Sequence, residues 1–253
     1  MIAIIDYGLG NLESVKYALD RLGVPSELTT DAGRILSAEG VVLPGVGAFG
    51  RAMVQLHELD LVGPARRAAA SGRPMLGICL GMQLLFDSSQ EHGLHEGLGI
   101  IPGRVVRFPG RLTVPHMGWN EVRQRRPSPL FKGIDDGSFF YFAHSYYAVP
   151  EDPATAIGTT DYGLGGEAGA AGKDSGAGAG GEAVGATPTG RSDSAGATGP
   201  GGAGEYQGEF ACTVQRGAVF GTQYHPEKSG PTGLRMLANF CRLCRREAEA
   251  DRI

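Results

Sequence analysis

The sequence predicts an α/β protein with a central, mostly parallel sheet and antiparallel additions in its second half. Two observations lead to this fold class. In the first third of the chain, short apolar runs alternate with segments whose apolar residues recur at helical spacing. That alternation is typical of a parallel sheet with crossover helices. In the second half, strand-like runs follow one another with few helices between them, which favours antiparallel or mixed pairing.

The amino-terminal half supplies the parallel part of this sheet. The first apolar run is followed by apolar residues at helical spacing, and Gly23-Val24-Pro25 ends that helix. The next runs are bounded in the same way by turn residues. In chain order the predicted strands are 1–6, 26–29, 40–43 and 73–78, and the predicted helices are 12–22, 52–70 and 80–87.

The second half supplies the antiparallel part and a closing helix. Its runs are rich in β-branched and aromatic residues and are separated by turns. The predicted strands are 104–108, 117–122, 138–149, 156–160, 210–215 and 218–223, and the last helix is 233–250.

We expect residues 1–253 to form a single domain that carries one glycine- and alanine-rich insertion at 163–204. Of these 42 residues, 26 are Gly or Ala and none is aromatic. A segment with so little apolar surface to bury is expected to be a flexible, disordered loop. Its position between two strand-like runs is where a hairpin connection would lie.

Composition excludes several classes of function. The chain is 42% hydrophobic and 20% charged, with a formal net charge of −4, as expected for a soluble globular protein. This weak acidity offers no electrostatic attraction to nucleic acid or to an anionic membrane. No apolar run is long enough for a membrane helix. Four cysteines do not make a disulfide framework at this length, so we expect a reducing compartment, the cytoplasm.

A cysteine between two glycines marks the first candidate site. The segment Gly77-Ile78-Cys79-Leu80-Gly81 falls between a predicted strand and a predicted helix, the pattern of a nucleophile elbow with cysteine in place of serine. Such a turn lifts the nucleophile out of the sheet, and the helix N-terminus favours a thiolate and an oxyanion. The Leu80 amide is then the expected first oxyanion donor. The same residues would also suit a buried structural cysteine.

A histidine and a glutamate follow the last predicted strand. His225 stands at the carboxyl end of that strand, where open α/β sheets place their sites, and Glu227 could fix its tautomer. With Cys79 they would form a nucleophile, base and orienting group. The glycine-containing segment 44–47 follows another strand and could supply a second oxyanion amide from Gly47. Taken singly, each segment could be an ordinary turn.

Together these motifs resemble those of the class I glutamine amidotransferases, glutaminase domains that release ammonia for a synthase. The resemblance covers nearly the whole chain outside the glycine-rich segment. Three further segments make it similar to the glutaminase subunits of imidazole glycerol phosphate synthases, from histidine biosynthesis. They are Ile5-Asp6-Tyr7-Gly8-Leu9-Gly10-Asn11-Leu12, Pro115-His116-Met117-Gly118-Trp119-Asn120 and Tyr141-Phe142-Ala143-His144-Ser145-Tyr146.

The resemblance implies a three-layer, flavodoxin-like fold and a reaction. Glutamine would be hydrolysed to glutamate and ammonia through a cysteine thioester, without a cofactor or a metal. The ammonia would pass to a cyclase subunit, a (βα)8 barrel that makes imidazole glycerol phosphate and an aminoimidazole carboxamide ribotide. The two chains would form a heterodimer.

The resemblance also implies roles for single residues. Cys79 would be the nucleophile, His225 the general acid and base, and Glu227 its orienting group. Gly47 and Leu80 would supply oxyanion amides, with the Gly47 peptide flipping on activation. The residues expected to hold glutamine are Gln83, His144, Ser145 and Tyr146. The residues expected at the cyclase face are Asn11, Met117, Trp119, Asn120, Tyr141 and Lys228.

Other functions stay open from the sequence. A different cysteine hydrolase, such as a peptidase or a γ-glutamyl hydrolase, would use Cys79 without needing the segment 115–120. An inactive scaffold would only bind a partner, although the presence of all three candidate catalytic residues argues against it. Cys241 and Cys244 lack a second ligand pair for zinc and are better explained by packing on one helix face.

Overall fold

The computed structural model describes residues 1–163 and 206–250. Within them the strands β1–β13 are, in chain order, Ile2–Ile5, Ser26–Thr29, Gly40–Gly45, Met75–Cys79, Phe86–Ser89, His95–Glu96, Ile101–Arg107, His116–Gln124, Ser138–His144, Tyr146–Pro150, Ala156–Asp161, Glu209–Arg216 and Val219–Thr222. The helices α1–α6 are Leu12–Arg21, Ala32–Ser37, Phe49–Glu58, Val62–Ala70, Leu80–Leu84 and Gly230–Ala250. Short 3-10 turns lie at Pro129–Phe131, Pro153–Thr155 and Pro226–Lys228.

The strands form one mixed sheet whose first half is parallel. Its order is β2-β1-β3-β4-β13-β12-β10-β7-β5-β6. The neighbours from β2 to β13 pair in parallel, whereas β12 and β10 introduce antiparallel pairing. Strands β8, β9 and β11 pair antiparallel beside this path. The predicted fold class is therefore confirmed.

Helices cover both faces of the parallel strands. Alternate residues of a strand point to opposite faces, so Ile2 and Ile4 of β1 pack with α1 and α6, whereas Ala3 and Ile5 pack with α2, α3 and α4. All four are buried. The result is the expected three-layer arrangement, with a third, aromatic cluster under the antiparallel strands.

The helix predicted at 52–70 is wrong in one respect, because the structure divides it into α3 and α4. Asp60 adopts a left-handed conformation with φ 54°. The amide of Asp60 donates to the His57 carbonyl, and the Leu61 amide donates to the Leu56 carbonyl. This pair of bonds is a Schellman motif. It ends α3 without the usual glycine, and Leu61 is buried in the core just beyond it.

Two other predicted elements are also shorter than expected. The helix predicted at 80–87 ends at Leu84, and the chain continues as β5 because Phe86 is buried in the sheet. The run 138–149 is two strands, since β9 pairs with β8 and β10 pairs with β7 on either side of Ser145. The sequence analysis did not predict α2, whose first turn is capped by the Asp31 carboxylate accepting from the Arg34 amide at 2.7 Å.

The glycine-rich segment connects two antiparallel partners. Strand β11 pairs with β12 from Ala156 opposite Val214 to Asp161 opposite Glu209. The expected hairpin position is thus observed. Apart from Gly163, the predicted insertion 163–204 lies outside the described residues. Of the helices in the described part of the chain, none is long and apolar enough to cross a membrane.

Candidate active site

The parallel strands bring the three candidate motifs to one edge of the sheet. Strands β3, β4 and β13 are neighbours, with Gly45 opposite Cys79 and Thr222 opposite Ile78. Because parallel strands end at the same edge, the residues that follow them meet there. The segment 44–47, the cysteine and the histidine are therefore assembled by the topology of the sheet.

The turn at Cys79 holds the backbone in a strained conformation. Cys79 has φ 55° and ψ −110°, which side-chain-bearing residues rarely adopt. The flanking glycines let the chain turn this tightly. A β-carbon at Gly81 would lie 1.7 Å from the Leu43 carbonyl oxygen, and one at Gly77 would lie 2.7 Å from the Gly81 carbonyl oxygen. The predicted sharp turn between strand and helix is thus observed at Cys79.

The Cys79 thiol is 6% exposed and lines a cavity. Its Sγ is 3.7 Å from the side-chain nitrogen of Gln223, which donates to it. The thiol can donate in turn to the Ala143 carbonyl oxygen at 3.9 Å. As the first residue of α5, Leu80 has an amide without a partner inside the helix. This amide follows directly on the candidate nucleophile, Cys79.

The His225 imidazole and the Glu227 carboxylate form a buried pair. Nδ1 of His225 lies 2.9 Å from Oε1 of Glu227, and the two side chains are 4% and 1% exposed. Burial lowers the pKa of His225, but the nearby Cys79 sulfur and the Glu227 carboxylate outweigh this and raise the pKa to about 10. The imidazole therefore carries a proton at neutral pH.

The cavity beside Cys79 has a volume of about 230 Å³. Its lining consists of Val46, Gly47, Cys79, Leu80, Gln83, Glu91, Pro115, Met117, Ala143, His144, Ser145 and Tyr146. The oxyanion and glutamine-holding residues predicted from the sequence are all in this set. Tyr7 holds the segment 44–47 in place, because its buried hydroxyl donates to the Pro44 carbonyl at 2.8 Å.

Glu91 is a cavity residue that the sequence analysis missed. Among the described residues it is the single carboxylate in the lining, and it accepts from the Phe49 amide at the start of α3 at 2.6 Å. It lies in the loop between β5 and β6, in no recognisable motif. Only the folded chain brings this loop against the end of β4.

Gln83 and His144 share one acceptor in the cavity wall. The Tyr146 carbonyl accepts from Nε2 of Gln83 at 3.0 Å and from Nδ1 of His144 at 2.7 Å. The other ring nitrogen of His144 lies 3.2 Å from Nδ1 of His116. Both ring nitrogens of His144 are thus engaged within the protein, so its contribution to the cavity is to hold the wall in place.

Burial keeps the two histidines of this wall neutral. It lowers the pKa of His116 to about 4. Burial and then the neighbouring His116 lower the pKa of His144 to about 3. A neutral His144 whose Nδ1 donates to the Tyr146 carbonyl must accept at Nε2. His116 therefore donates to it.

The residues predicted at a partner face lie in three places: on the exposed surface, on the opposite face of β8, and beside Glu227. Met117 and Trp119 of β8 are 64% and 55% exposed, and Trp119 packs edge-on against Tyr141 of β9 at 6.1 Å between ring centroids. Lys228 is also exposed. Asn120 points to the other face of β8, where its amide donates to the Asp161 carbonyl at 2.6 Å. Asn11 donates to Oε1 of Glu227 at 3.5 Å.

Residues 3–166 match the family model of the class I glutamine amidotransferases. The chain belongs to that family. It is similar over 97% of its length to a crystal structure of a glutamine amidotransferase, with a TM-score of 0.63, 14% identity and the whole of that chain covered. At this identity the likeness concerns the fold.

Two relatives show which family within this class the chain is similar to. The imidazole glycerol phosphate synthase subunit HisH of Moorella thermoacetica is 47% identical over 249 residues, which cover 98% of both chains. That of Desulfitobacterium hafniense is 42% identical, covering 95% of this chain and 93% of its own. Within the class, the chain belongs to the family of this subunit. The predicted family and the predicted assignment as a glutamine amidotransferase of histidine biosynthesis are confirmed.

Proposed function

We propose that the site hydrolyses the side-chain amide of glutamine through a Cys79 thioester. The observation that carries this is the meeting of a strained cysteine turn and the His225–Glu227 pair at one sheet edge, beside a cavity. An amide is a poor electrophile, so the reaction needs a thiolate, a proton for the departing nitrogen and donors for the oxyanion. Each of these has a candidate here.

The proposed reaction has two stages that use the same histidine. Cys79 Sγ attacks the amide carbon, and the carbonyl oxygen becomes an oxyanion held by the Leu80 amide. The imidazolium of His225 gives its proton to the amide nitrogen, and the C–N bond breaks. Ammonia departs, and the glutamyl group remains on Cys79 as a thioester. His225, now neutral, takes a proton from water, which attacks the thioester. The C–S bond breaks to give glutamate and the thiolate.

Three parts of the cavity lining would hold the substrate. The Glu91 carboxylate is the counter-ion for the α-ammonium group, since it is the single carboxylate in the lining. Ser145 and Tyr146 offer backbone groups from the bend between β9 and β10. Gln83 and His144 fix the position of that bend through the Tyr146 carbonyl.

Gly47 would complete the oxyanion site when its peptide turns towards the substrate. It has φ 98°, a left-handed conformation that favours glycine, and there is open space at the position of a β-carbon. Loss of one oxyanion donor costs about 2.7–4 kcal/mol in the barrier. A single peptide could therefore switch the glutaminase.

The partner would be the cyclase subunit, a (βα)8 barrel that binds in a heterodimer and receives the ammonia. Met117, Trp119, Tyr141 and Lys228 supply the proposed contact surface. The backbone of Tyr141 also accepts from the His225 amide at 2.9 Å. A partner that presses on β9 would thus act directly on the segment that carries the catalytic base. We place this complex in the cytoplasm.

For the domain organisation we keep residues 1–253 as one domain with a loop insertion at 163–204. Both relatives align over at least 95% of this chain, so their alignments run across that segment. The strands on its two sides belong to the central sheet. A domain boundary there would separate paired strands.

The test is ammonia release from glutamine by the chain alone and with the cyclase subunit and its nucleotide substrate. We expect the mixture to release ammonia much faster than the chain alone, and we expect no ammonia release with Cys79→Ala. Equal activity without the partner would favour another cysteine hydrolase. No activity in either sample, with the complex formed, would indicate a binding scaffold.

A further inference from the structure

The strand that delivers His225 also delivers a buried glutamine to the nucleophile. Gln223 is fully buried and contacts the Cys79 sulfur, and His225, two residues further on, contacts the same sulfur. Tyr224 between them packs against Phe140 on the other side, at 4.2 Å between ring centroids. The mechanism above gives Gln223 no part.

The amide of Gln223 joins the nucleophile to the wall of the cavity. Its Nε2 lies 3.7 Å from Sγ of Cys79, and its Oε1 accepts from Nε2 of Gln83 at 3.0 Å. That same nitrogen of Gln83 donates to the Tyr146 carbonyl at 3.0 Å. A chain of hydrogen bonds therefore runs from the Tyr146 carbonyl to the sulfur.

The direction of this chain follows from the backbone. A carbonyl oxygen only accepts, so the end of the Gln83 amide that faces Tyr146 must be the NH2 group. The same NH2 group faces Gln223, which must therefore present its oxygen to Gln83. The NH2 end of Gln223 is then left to face Cys79. A rotated amide would set two donors against each other on a buried contact, at a high cost.

We propose that Gln223 is a positioning residue that holds an uncharged N–H donor against the Cys79 sulfur, with its orientation set through Gln83 by the Tyr146 carbonyl. The donor stabilises the thiolate at every pH, because an amide does not titrate. It also ties the position of Sγ to the bend that would hold glutamine. The inference rests on the proposed function in that Cys79 is the nucleophile.

The test measures the reactivity of the sulfur without turnover. Iodoacetamide alkylates thiolates, so its rate at Cys79 is followed against pH on the full chain, by mass spectrometry of the peptide that carries Cys79. Burial raises the pKa of Cys212 and Cys244, and that of Cys241 to about 11. These thiols stay unreactive over the range used.

Gln223→Met keeps the size of the side chain and removes the donor. We expect the pH of half-maximal alkylation to rise by about one to two units, the loss typical of a hydrogen bond to a charged group. Gln83→Met leaves Gln223 in place but frees its amide to rotate, and we expect a smaller rise. The matched control is Thr222→Val, one residue before Gln223, which removes a buried hydroxyl that donates to the Tyr224 carbonyl. It should leave the profile unchanged.

Two results would overturn the proposal. One is a profile for Gln223→Met that superimposes on that of the parent chain. The other is an equal rise for Thr222→Val, which would show a general effect of loosening the strand. If Gln223→Met does not fold, the Gln83→Met profile decides, since an unchanged profile there excludes an orientation set through Gln83. Because alkylation needs no glutamine, these outcomes are independent of whether the chain is a glutaminase.

Discussion

The chemistry of single residues here depends on their surroundings. Cys79 is held at a left-handed backbone position, and the pKa of His225 is raised because the Cys79 sulfur and the Glu227 carboxylate outweigh the effect of burial. His144, buried to a similar degree beside another histidine, loses its proton instead. The surroundings therefore raise the pKa of one buried histidine and lower that of another.

Glu227→Gln tests the charge on His225 through stability. The pKa of His225 is raised from its ordinary 6.5 to about 10, so its stabilisation is full below about pH 6.5 and is lost as the pH rises through about 10. We expect the variant to lower the free energy of unfolding by about 1–3 kcal/mol near pH 6, with the deficit shrinking towards pH 10. Urea denaturation across this range measures it.

The exposed Glu121 provides the control for that measurement. Glu121→Gln removes a carboxylate from the surface of β8 and should give a difference below about 0.5 kcal/mol at every pH. A deficit for Glu227→Gln that stays constant from pH 6 to pH 10 would mean that His225 does not hold its extra proton in this range.

Residues in continuous motifs could be predicted from the sequence, and those defined by contact could not. Cys79, His225 and Glu227 stand in short patterns whose spacing already implies a turn or a hydrogen bond. Glu91 and Gln223 have no such pattern. Glu91 comes from the loop before β6, and the contact of Gln223 with Cys79 spans 144 positions.

At the scale of elements, the position of Cys79 depends on how closely α5 approaches β3. The helix starts immediately after β4, and its second residue, Gly81, lies against the Leu43 backbone. Any side chain there would separate helix and strand. Glycine at position 81 is therefore required by packing, whatever chemistry Cys79 performs.

Gly81→Ala tests this close approach. Its β-carbon would overlap the Leu43 carbonyl oxygen, so we expect a loss of about 3 kcal/mol or more in the free energy of unfolding. Gly63→Ala is the matched control, because Gly63 is helical in α4 with open space at its β-carbon. That change should raise stability by less than about 1 kcal/mol. Equal effects of the two, in thermal or urea unfolding, would contradict the account.

Element types in the parallel half were predictable because strand and helix periods alternate clearly there. The predicted strand at 26–29 matches β2, Ser26–Thr29, residue for residue. The break between α3 and α4 could not be predicted. Its left-handed residue is Asp60, whereas a glycine at this position would have indicated the end of a helix. Ser145 likewise divides two strands that read as one apolar run, because their partners lie in different parts of the sheet.

At the scale of the whole molecule, the site opens beside an exposed apolar surface. Met117 belongs both to the cavity lining and to the row of exposed residues on β8. Large exposed apolar side chains that adjoin one another are typical of contact surfaces. A partner seated there would lie against the mouth of the cavity, which suits transfer of ammonia without loss to solvent.

Trp119→Ala tests this surface. Exposed aromatic anchors contribute about 2 kcal/mol or more to binding, so we expect the Kd for the cyclase subunit to rise about 30-fold or more. The stability of the isolated chain should change by less than about 0.5 kcal/mol. Val54→Ala, at a side chain that is 53% exposed on α3, should leave the Kd unchanged. Both affinities are measured by calorimetric titration. Equal affinities of the two variants would exclude this surface as the contact with the cyclase subunit.

Capture of the acyl-enzyme tests most directly whether Cys79 forms a thioester with the glutamyl group of glutamine. The complex is mixed with radiolabelled glutamine and the cyclase ligand, quenched in acid during turnover and digested. We expect label on the peptide that carries Cys79, and we expect the label to be absent in Cys79→Ala. Ammonia release without label on this peptide, or label on another residue, would contradict this expectation.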